Sequence, residues 1–300
     1  MPQTTRGIGL QYQNTVAPLH DGVEGDEEPL KYDVAEVLCD SFTGPLDSGY
    51  VIEPSTRPLI EKLSSQHALI AHGNYGEEFG FTPLSETNVV RRHVPFTQAI
   101  KSPWYADHLF YGFGASTYMW SSPLPFSKAE IERVAGRAAE LQDILKVPLL
   151  HENPFYYAPF PGSHMSEPEF IASLVAKSQT YLLLDLHNVY ANSVNFKEND
   201  RWQYLRTIPL DRVIEVHLAG GQWIDGWYHD LHNNAVPETV WEMLAYVLRN
   251  ARNLEAVTLE VQGPAHTARS REVDATWRKM IRTDLGRARE LWTSIRGELA

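Results

Sequence analysis

Short apolar segments that end in a potential metal ligand recur along this chain, and this recurrence limits its fold more than any other feature. Six such segments finish, in chain order, at His72, Asp107, Glu152, Asp185, His217 and Glu260. The intervals between these residues run from 32 to 45 positions, which leaves room for one strand, one helix and their connections. The pattern therefore predicts repeated units in which parallel strands alternate with covering helices.

Eight strands and several of the helices between them can be placed from the sequence. The strands are expected at 8–12, 34–39, 68–72, 104–108, 147–152, 181–185, 213–217 and 257–261. Ser127 followed by Glu130, and Ser166 followed by Glu169, have the spacing of capping boxes at helix starts. Eight such units close into an α/β fold, the parallel (β/α)8 barrel of the triosephosphate-isomerase (TIM) type. An open doubly wound sheet is the alternative, but no glycine-rich turn follows the first strand.

Composition narrows the possible functions. The 300 residues carry a net charge of −12, with no cluster of Lys or Arg that could track phosphates, so nucleic acid is not expected as a partner. The single cysteine, Cys39, excludes an internal disulfide framework, a thiolate zinc site and a cysteine-held iron-sulfur cluster. We expect a cytoplasmic protein with no membrane partner, because no apolar run is long enough to span a bilayer. No linker-like segment interrupts the pattern, which predicts one domain over 1–300.

The polar strand ends are expected to meet. In a barrel of parallel strands all carboxyl ends open at one mouth, where this fold has its active site. Several buried carboxylates cannot share a mouth as bare anions, because desolvation and repulsion would protonate them, and bound cations resolve that conflict. Nitrogen and oxygen ligands without a thiolate favour iron, manganese or zinc. The donors exceed the needs of one ion, so two or three ions are expected.

Further donors lie close to these strand ends in the sequence. They are His108, Asn153, Asn188, Asp230 and His232. The two asparagines stand where an amide can bind an ion or hold a neighbouring carboxylate. A single His or Glu at a strand end is more often a hydrogen-bonded core residue or a loop cap than a ligand. Six polar ends among eight strands favour the metal interpretation, because unpaired buried carboxylates are rare.

Several neighbouring residues have open roles. His151 and His187 flank ligand candidates, and each either faces away from the mouth or supports a ligand. Asp40 follows Cys39 at the end of the second strand; Cys39 itself is expected to act as a small buried apolar residue. His93 is expected at the surface.

Three segments rich in aromatic residues follow ligand-bearing strands, at 110–126, 155–165 and 222–236. Loops of this length in a compact domain are typical of lids or binding surfaces. Aromatic side chains such as Tyr157 and Trp223 suit a partly apolar ligand or an extended peptide. The alternative of equal weight is that they plug the barrel mouth.

The residues around the expected ligands resemble a known family. The segments are GIGLQY, AHGNYG, ADHLFYG, LLHENPFYY, LLLDLHNVYANSVN, DRVIEVHLAGG and DLHNNAVPETVW. They resemble, in this order, the multinuclear non-haem iron-dependent oxidative enzymes, the family that includes the methanobactin-biosynthesis oxidase. The resemblance runs from about the first strand to the last helix.

This resemblance implies a TIM-type barrel that holds two or three irons of mixed Fe(II)/Fe(III) character and uses dioxygen as cosubstrate. It also implies a ribosomally made precursor peptide as substrate, usually modified at a cysteine and often presented by a separate recognition protein. Natural-product biosynthesis is the corresponding role. The reaction is hypothesised to begin at the cysteine β-carbon, with the substrate thiolate bound to iron.

The resemblance also implies roles for individual residues. The implied ligands of the two inner irons are His72, Asp107, Glu152, Asp185, Asn188, His217 and Glu260. Those of the third iron are His108, Asp230 and His232. Residues expected to contact the substrate or to support the ligands are Asp40, Asn153, His187, Tyr157 and Trp223. Many relatives have Glu in place of Asp107 and Asn in place of His187.

Two other functions stay open. One is a metal-dependent hydrolase or isomerase resembling the sugar-isomerase and apurinic-endonuclease barrels. The charge of −12 argues against a nuclease, and a sugar isomerase normally has a lysine near its metals, whereas Lys146 and Lys177 lie at expected helix ends. The other is a non-enzymatic peptide-binding protein with structural metals. The surplus of donors argues against it, because structural sites are usually closed by four ligands.

Overall fold

A computed structural model describes residues 7–12, 20, 26, 28–74, 79–111, 122–262 and 271–299. Eight parallel strands form a closed barrel, in which each strand pairs with the next along the chain and the last pairs with the first. These strands are β1 (Gly7–Tyr12), β2 (Val34–Leu38), β3 (Ala68–His72), β4 (Tyr105–His108), β5 (Leu149–Glu152), β6 (Tyr181–Asp185), β7 (Val213–Leu218) and β10 (Ala256–Leu259). The predicted (β/α)8 barrel is confirmed.

Helices cover the outside of the barrel. They are α1 (Cys39–Phe42), α2 (Arg57–Gln66), α3 (Val94–Ala99), α4 (Lys128–Leu145), α5 (Glu167–Ser178), α6 (Leu186–Asn195), α7 (Arg201–Thr207), α8 (Glu238–Asn250) and α9 (Arg271–Leu299). Short 3-10 turns lie at Leu84–Glu86 and Leu210–Arg212, and a π-helix at Val89–His93 leads into α3. In the described part of the chain, no helix is long and apolar enough to span a membrane.

The two predicted helix caps form as expected. The Ser127 hydroxyl accepts a hydrogen bond from the Glu130 backbone N–H at the start of α4. Ser166 and Glu169 make a reciprocal capping box at the start of α5. Each cap satisfies backbone donors that the first helical turn would otherwise leave without partners.

The barrel interior is packed in layers. One layer consists of Val34, Ile70, Trp104, Ala106, Leu150, Leu183, Ile214 and Ala256, a buried cluster separate from the main core between strands and helices. Because side chains alternate across a strand, the residues two positions further along face the same interior. On β3, β4 and β5 these residues are His72, His108 and Glu152. The apolar layer thus forms the floor of a polar mouth.

The segment 222–236 departs from the expected loop. It contains a two-stranded antiparallel hairpin, β8 (Gln222–Ile224) and β9 (Trp227–His229). Asp225 and Gly226 connect the strands with φ of 50° and 84°, the backbone that a two-residue hairpin turn requires. Of the expected aromatic loop 110–126, residues 112–121 lie outside the described part of the chain.

Candidate metal centre

Ligand atoms of His, Asp and Glu converge at the carboxyl ends of the barrel strands. Three groups of residues, each with ligand atoms within 4.8 Å of one another, lie around the mouth. We call them the first cluster (His72, His108, Glu152), the central cluster (Glu152, Asp185, His217, Glu260) and the outer cluster (His187, Asp230, His232). A fourth group, Glu36 with His72 and His217, lies beside them. Shared residues join the first, central and fourth groups, and a contact between His232 and Glu260 connects the outer cluster to them.

The first cluster combines three neighbouring strands. His72 Nε2 lies 2.8 Å from Glu152 Oε2, and His108 Nε2 lies 3.2 Å from the same oxygen. The two rings therefore approach one carboxylate oxygen from β3 and β4. This arrangement of two imidazoles and one carboxylate suits a divalent first-row metal.

The central cluster uses the other side of the same carboxylate. His217 Nδ1 lies 3.5 Å from Glu152 Oε1 and 3.3 Å from Glu260 Oε2. Asp185 joins from the end of β6, where one of its oxygens caps α6 by accepting the Asn188 backbone N–H at 2.6 Å. Glu152 thus presents one oxygen to each of two clusters, as a carboxylate that bridges two ions does.

The outer cluster forms where the hairpin returns to the barrel. Asp230 Oδ1 lies 2.9 Å from His187 Nδ1 and 2.7 Å from His232 Nε2. His232 has a φ of 49° in the left-handed region, which a non-glycine residue rarely adopts. Its Nε2 also lies 3.7 Å from Glu260 Oε2, which connects the outer cluster to the central one.

The buried atoms of this centre fit bound cations. Among the described residues, ligand-type atoms at the mouth that are buried and make no hydrogen bond include Glu152 Oε1, Asp185 Oδ2, Asn188 Oδ1 and His217 Nδ1, and in the outer cluster Asp230 Oδ1 and His232 Nε2. Buried polar atoms are almost always hydrogen-bonded in folded proteins. Here buried oxygen and nitrogen atoms without hydrogen-bond partners lie close together. Such atoms are the ligands that a non-haem metal uses.

The pKa values of the buried groups also indicate that the centre is short of positive charge. Burial, followed by the nearby charges of Glu260 and Glu152, raises the pKa of Asp185 well above its usual value. Burial alone would lower the pKa of His72, but the carboxylates of Glu36 and Glu152 raise it to about 10. The pKa of His232 also rises to about 10, because Asp230 and Glu260 outweigh its burial. Protons thus balance the charges here, and cations can replace them.

The predicted ligands largely converge, but their grouping differs from the one that the resemblance implies. His108 lies in the first cluster with His72 and Glu152, not with Asp230 and His232. His187 lies in the outer cluster instead, with its ring buried. Asn188 borders the centre through its open side-chain oxygen.

Asp107 is the candidate that belongs to none of the clusters, although its Oδ1 lies 3.7 Å from His108 Nδ1. Its carboxylate accepts hydrogen bonds from the Tyr105 hydroxyl at 2.9 Å and from the His108 backbone N–H at 2.7 Å. Tyr105 in turn contacts His93 Nδ1 at 3.0 Å, and His93 Nε2 contacts Asp40 at 3.0 Å. His93 is therefore buried rather than exposed as expected, and Asp40 belongs to the same hydrogen-bond network.

The other supporting candidates lie around the mouth. Asn153 exchanges two hydrogen bonds with the Asp185 backbone, at 2.9 and 2.8 Å, and accepts one from Asn188 through its own carbonyl. Tyr157 is 47% exposed, and its hydroxyl contacts His229 Nδ1 at 2.9 Å. Trp223 is 54% exposed and packs edge-on against Tyr228. These two aromatic residues form part of the rim.

Sequence reasoning missed Glu36, which lies in the middle of β2. Its Oε2 contacts His217 Nε2 at 2.9 Å. The sequence analysis considered only residues at or near strand ends, and Glu36 lies inside a strand. The sequence nevertheless contains a signal for it. Glu36 is the one charged residue in the strand VAEVL, which is buried throughout, and a fully buried Glu is rare without a paired charge or a metal. Cys39, by contrast, is buried as expected, and burial raises the pKa of its thiol.

Comparison with known proteins identifies the class that this fold and centre represent. Residues 7–275 match the family model described as RiPP precursor modification enzyme MbnB/TglH/ChrH. The chain belongs to this family, whose members modify ribosomally made precursor peptides, and the resemblance seen in the sequence is confirmed.

Relatives and solved structures agree with this assignment at the level of the fold. A UPF0276 protein of Anaeromyxobacter sp. (strain Fw109-5) is 32% identical over 248 residues, 81% of each chain. One of Caulobacter vibrioides is 29% identical over 243 residues, 79% of this chain and 80% of the relative. A solved L-ribulose 3-epimerase superposes with a TM-score of 0.61 at 12% identity, covering 97% of this chain and 96% of its own. Endonuclease IV from Thermus thermophilus gives 0.53 at 19% identity, covering 94% and 99%. The two structural superpositions show a shared barrel fold.

Proposed function

We propose that this protein is an iron- and dioxygen-dependent oxidoreductase that modifies a cysteine of a ribosomally made precursor peptide. The observation that carries the proposal is Glu152, which joins two clusters of nitrogen and oxygen ligands at the mouth of the barrel. A family of precursor-modifying enzymes and a centre with ligands for more than one ion together favour multinuclear metal chemistry. The role belongs to natural-product biosynthesis.

The proposed ligands follow the three clusters. They are His72, His108, Glu152, Asp185, His217 and Glu260 in the first and central clusters, and His187, Asp230 and His232 in the outer one, with Asn188 beside it. Nine of these ten residues carry imidazole or carboxylate groups, which suit iron. Bound iron supplies a binding position for the substrate thiolate and the means to activate dioxygen for attack at the cysteine β-carbon.

The chain controls access to this centre. The side chains of Glu152, Asp185 and His217 are buried at the base of the mouth, whereas His108 and Asp230 are 17% and 18% exposed. As far as the described residues go, the approach for a cysteine side chain therefore lies between the first and outer clusters. Burial of the base keeps water away from the reacting β-carbon, and the residues of the clusters would fix the position of the ion to which the thiolate binds.

Exposed aromatic residues on the rim suit the rest of the peptide. Tyr157 follows β5, and Trp223, Ile224 and Trp227 lie on the hairpin, all with at least 39% of their surface exposed. Large exposed aromatics are typical anchors for a peptide or a protein partner. We assign Tyr157 and Trp223 to the precursor peptide, and the hairpin tip to the separate recognition protein.

The test is incubation of the iron-loaded protein and air with the short cysteine-containing peptides encoded beside its gene. Mass spectrometry is expected to find a modification at a cysteine residue that depends on both iron and dioxygen. Glu152→Gln is expected to abolish it, while the exposed control Glu140→Gln retains it. A protein that is active with zinc or magnesium and consumes no dioxygen would instead support the hydrolase or isomerase alternative.

A further inference from the structure

Glu36 lies beneath the central cluster and is connected to two of its residues, directly to His217 and through Gln11 to Glu260. Its Oε2 lies 2.9 Å from His217 Nε2, and its Oε1 accepts a hydrogen bond from Gln11 Nε2 at 3.0 Å. The same Gln11 nitrogen donates a short hydrogen bond to Glu260 Oε1. One carboxylate on β2 is therefore connected to ligands contributed by β7 and by the residue that follows β10.

These contacts determine how His217 presents its ring. Glu36 accepts from Nε2, so that nitrogen keeps its proton and the Nδ1 lone pair is left for a metal. The geometry agrees, because Nδ1 is the atom that points at Glu152 and Glu260 and makes no hydrogen bond among the described residues. Rotation of the ring would break the bond to Glu36.

The burial of Glu36 shows that this arrangement is not incidental. Its side chain is fully buried, and within the described residues no Lys or Arg forms an ion pair with it. A buried carboxylate without a cationic partner is costly unless nearby donors or a metal compensate it. Two groups that contact it, His217 Nε2 and Gln11 Nε2, are both connected to the central cluster.

We propose that Glu36 is a positioning residue that fixes His217 and, through Gln11, Glu260 for metal binding in the central cluster. This proposal rests on the proposed metal centre. Glu36 acts through the two ligands and is not itself a ligand. The supporting carboxylate behind a metal-bound histidine typically contributes about 10- to 100-fold to metal affinity.

Glu215 provides a matched control. It is also fully buried inside the barrel and accepts hydrogen bonds from Trp104 Nε1 at 2.7 Å and from the Thr258 hydroxyl at 2.6 Å. Neither donor belongs to a cluster. Glu215→Gln therefore removes a buried interior carboxylate without breaking a hydrogen bond to a metal ligand.

The experiment is an anaerobic titration of the metal-free full-length protein with Fe(II), alongside Co(II) as a spectroscopic probe. Glu36→Gln is expected to bind the same number of ions at saturation, with the affinity of one ion reduced about 10- to 100-fold. In the Co(II) protein, the shifted proton resonance of a ligand histidine N–H, assigned by its loss in His217→Ala, is expected to exchange faster with water in Glu36→Gln. Glu215→Gln is expected to match the wild type in both measurements.

Three results would overturn the proposal. Unchanged affinity and unchanged proton exchange in Glu36→Gln would remove the positioning role while leaving the metal centre intact. Loss of one ion at saturation would make Glu36 a ligand instead. A wild-type protein that binds neither metal would remove this proposal and the proposed function together.

Discussion

Asp107 and His108 are adjacent in the chain, yet only His108 belongs to a cluster of ligand atoms. His108 Nε2 is 3.2 Å from Glu152 in the barrel mouth, whereas Asp107 accepts a hydrogen bond from the Tyr105 hydroxyl and lies 3.7 Å from His108 Nδ1. The alternation of side chains across a strand allows only one of two neighbours to face the interior. The two residues should therefore respond differently to substitution.

Asp107→Asn is expected to retain the full complement of bound metal, because its carboxylate does not belong to a cluster. His108→Ala is expected to lose the ion of the first cluster. Metal analysis after loading with Fe(II) and removal of excess measures the difference. Equal metal loss in the two variants would show that Asp107 is a ligand after all, with a side chain that turns inward when metal binds.

Glu152→Gln is expected to reduce the metal content by more than one ion per chain. Glu152 Oε2 serves the first cluster and Oε1 serves the central cluster, so one substitution weakens both. The same metal analysis checks this, with Glu140→Gln on the outer surface of α4 as the control. Loss of a single ion would contradict the bridging arrangement.

Metal affinity is expected to rise between pH 6 and pH 8. The pKa values of His72 and His232 are raised to about 10 without metal, so both rings hold protons in this range that an ion must displace. Each displaced proton makes affinity increase about tenfold per pH unit. Titration in weakly buffered solution measures the released protons directly. Affinity that is independent of pH would show that the metal-free rings are already neutral.

Ionisation of the buried Glu167 carboxyl is expected to lower the free energy of unfolding of the protein as pH rises. Burial raises the pKa of this carboxyl from its ordinary value of 4.5 to about 7, so the folded protein holds its proton more tightly than the unfolded chain does. Stability from this group is present below pH 4.5 and is lost as the pH rises through 7. Glu167→Gln should therefore be more stable than the wild type at pH 8, by up to roughly 3 kcal/mol, and similar at pH 4.

Urea unfolding at both pH values measures this difference. The Tyr204 hydroxyl, which donates to Glu167 at 3.0 Å, can donate equally to a glutamine oxygen. Glu140→Gln serves again as the exposed control and should change neither value. A constant difference between Glu167→Gln and wild type at the two pH values would mean that folding does not shift the pKa of Glu167.

Trp223→Ala is expected to raise the KM for the precursor peptide about tenfold and to leave kcat nearly unchanged. The indole is exposed on the hairpin, away from the buried base of the centre, so its contacts are made equally in the ground and transition states. Steady-state kinetics on the modified peptide measures both constants. A fall in kcat at constant KM would place Trp223 in the chemical step instead.

Much of this fold could be predicted because its signals are local. The apolar strands, the polar ends at residues such as His72 and Asp185, and the cap at Ser127 are all readable over a few residues. The hairpin was also readable, since Asp225-Gly226 between apolar residues is a strong two-residue turn signal, but the length of the segment favoured a loop.

Other features of the site could not be predicted, because they depend on the register and stagger of the strands in the closed barrel. Which of Asp107 and His108 faces the mouth is set by the register of β4 against β5, where Asp107 pairs with His151 and His108 with Glu152. Glu36 lies two residues before the end of β2, and its depth below the mouth depends on the stagger of the closed barrel.

Tyr228 has a position with consequences beyond its own packing. Its hydroxyl accepts the Gly221 backbone N–H at 2.8 Å and lies 3.2 Å from His187 Nε2, so the hairpin and the outer cluster are anchored to one phenol. A partner protein bound to the hairpin and an ion bound to His187 would therefore both affect the position of Tyr228. By thermodynamic linkage the two binding events would affect each other equally. If the bound partner raises the affinity of the outer cluster for the ion by some factor, the ion raises the affinity for the partner by the same factor.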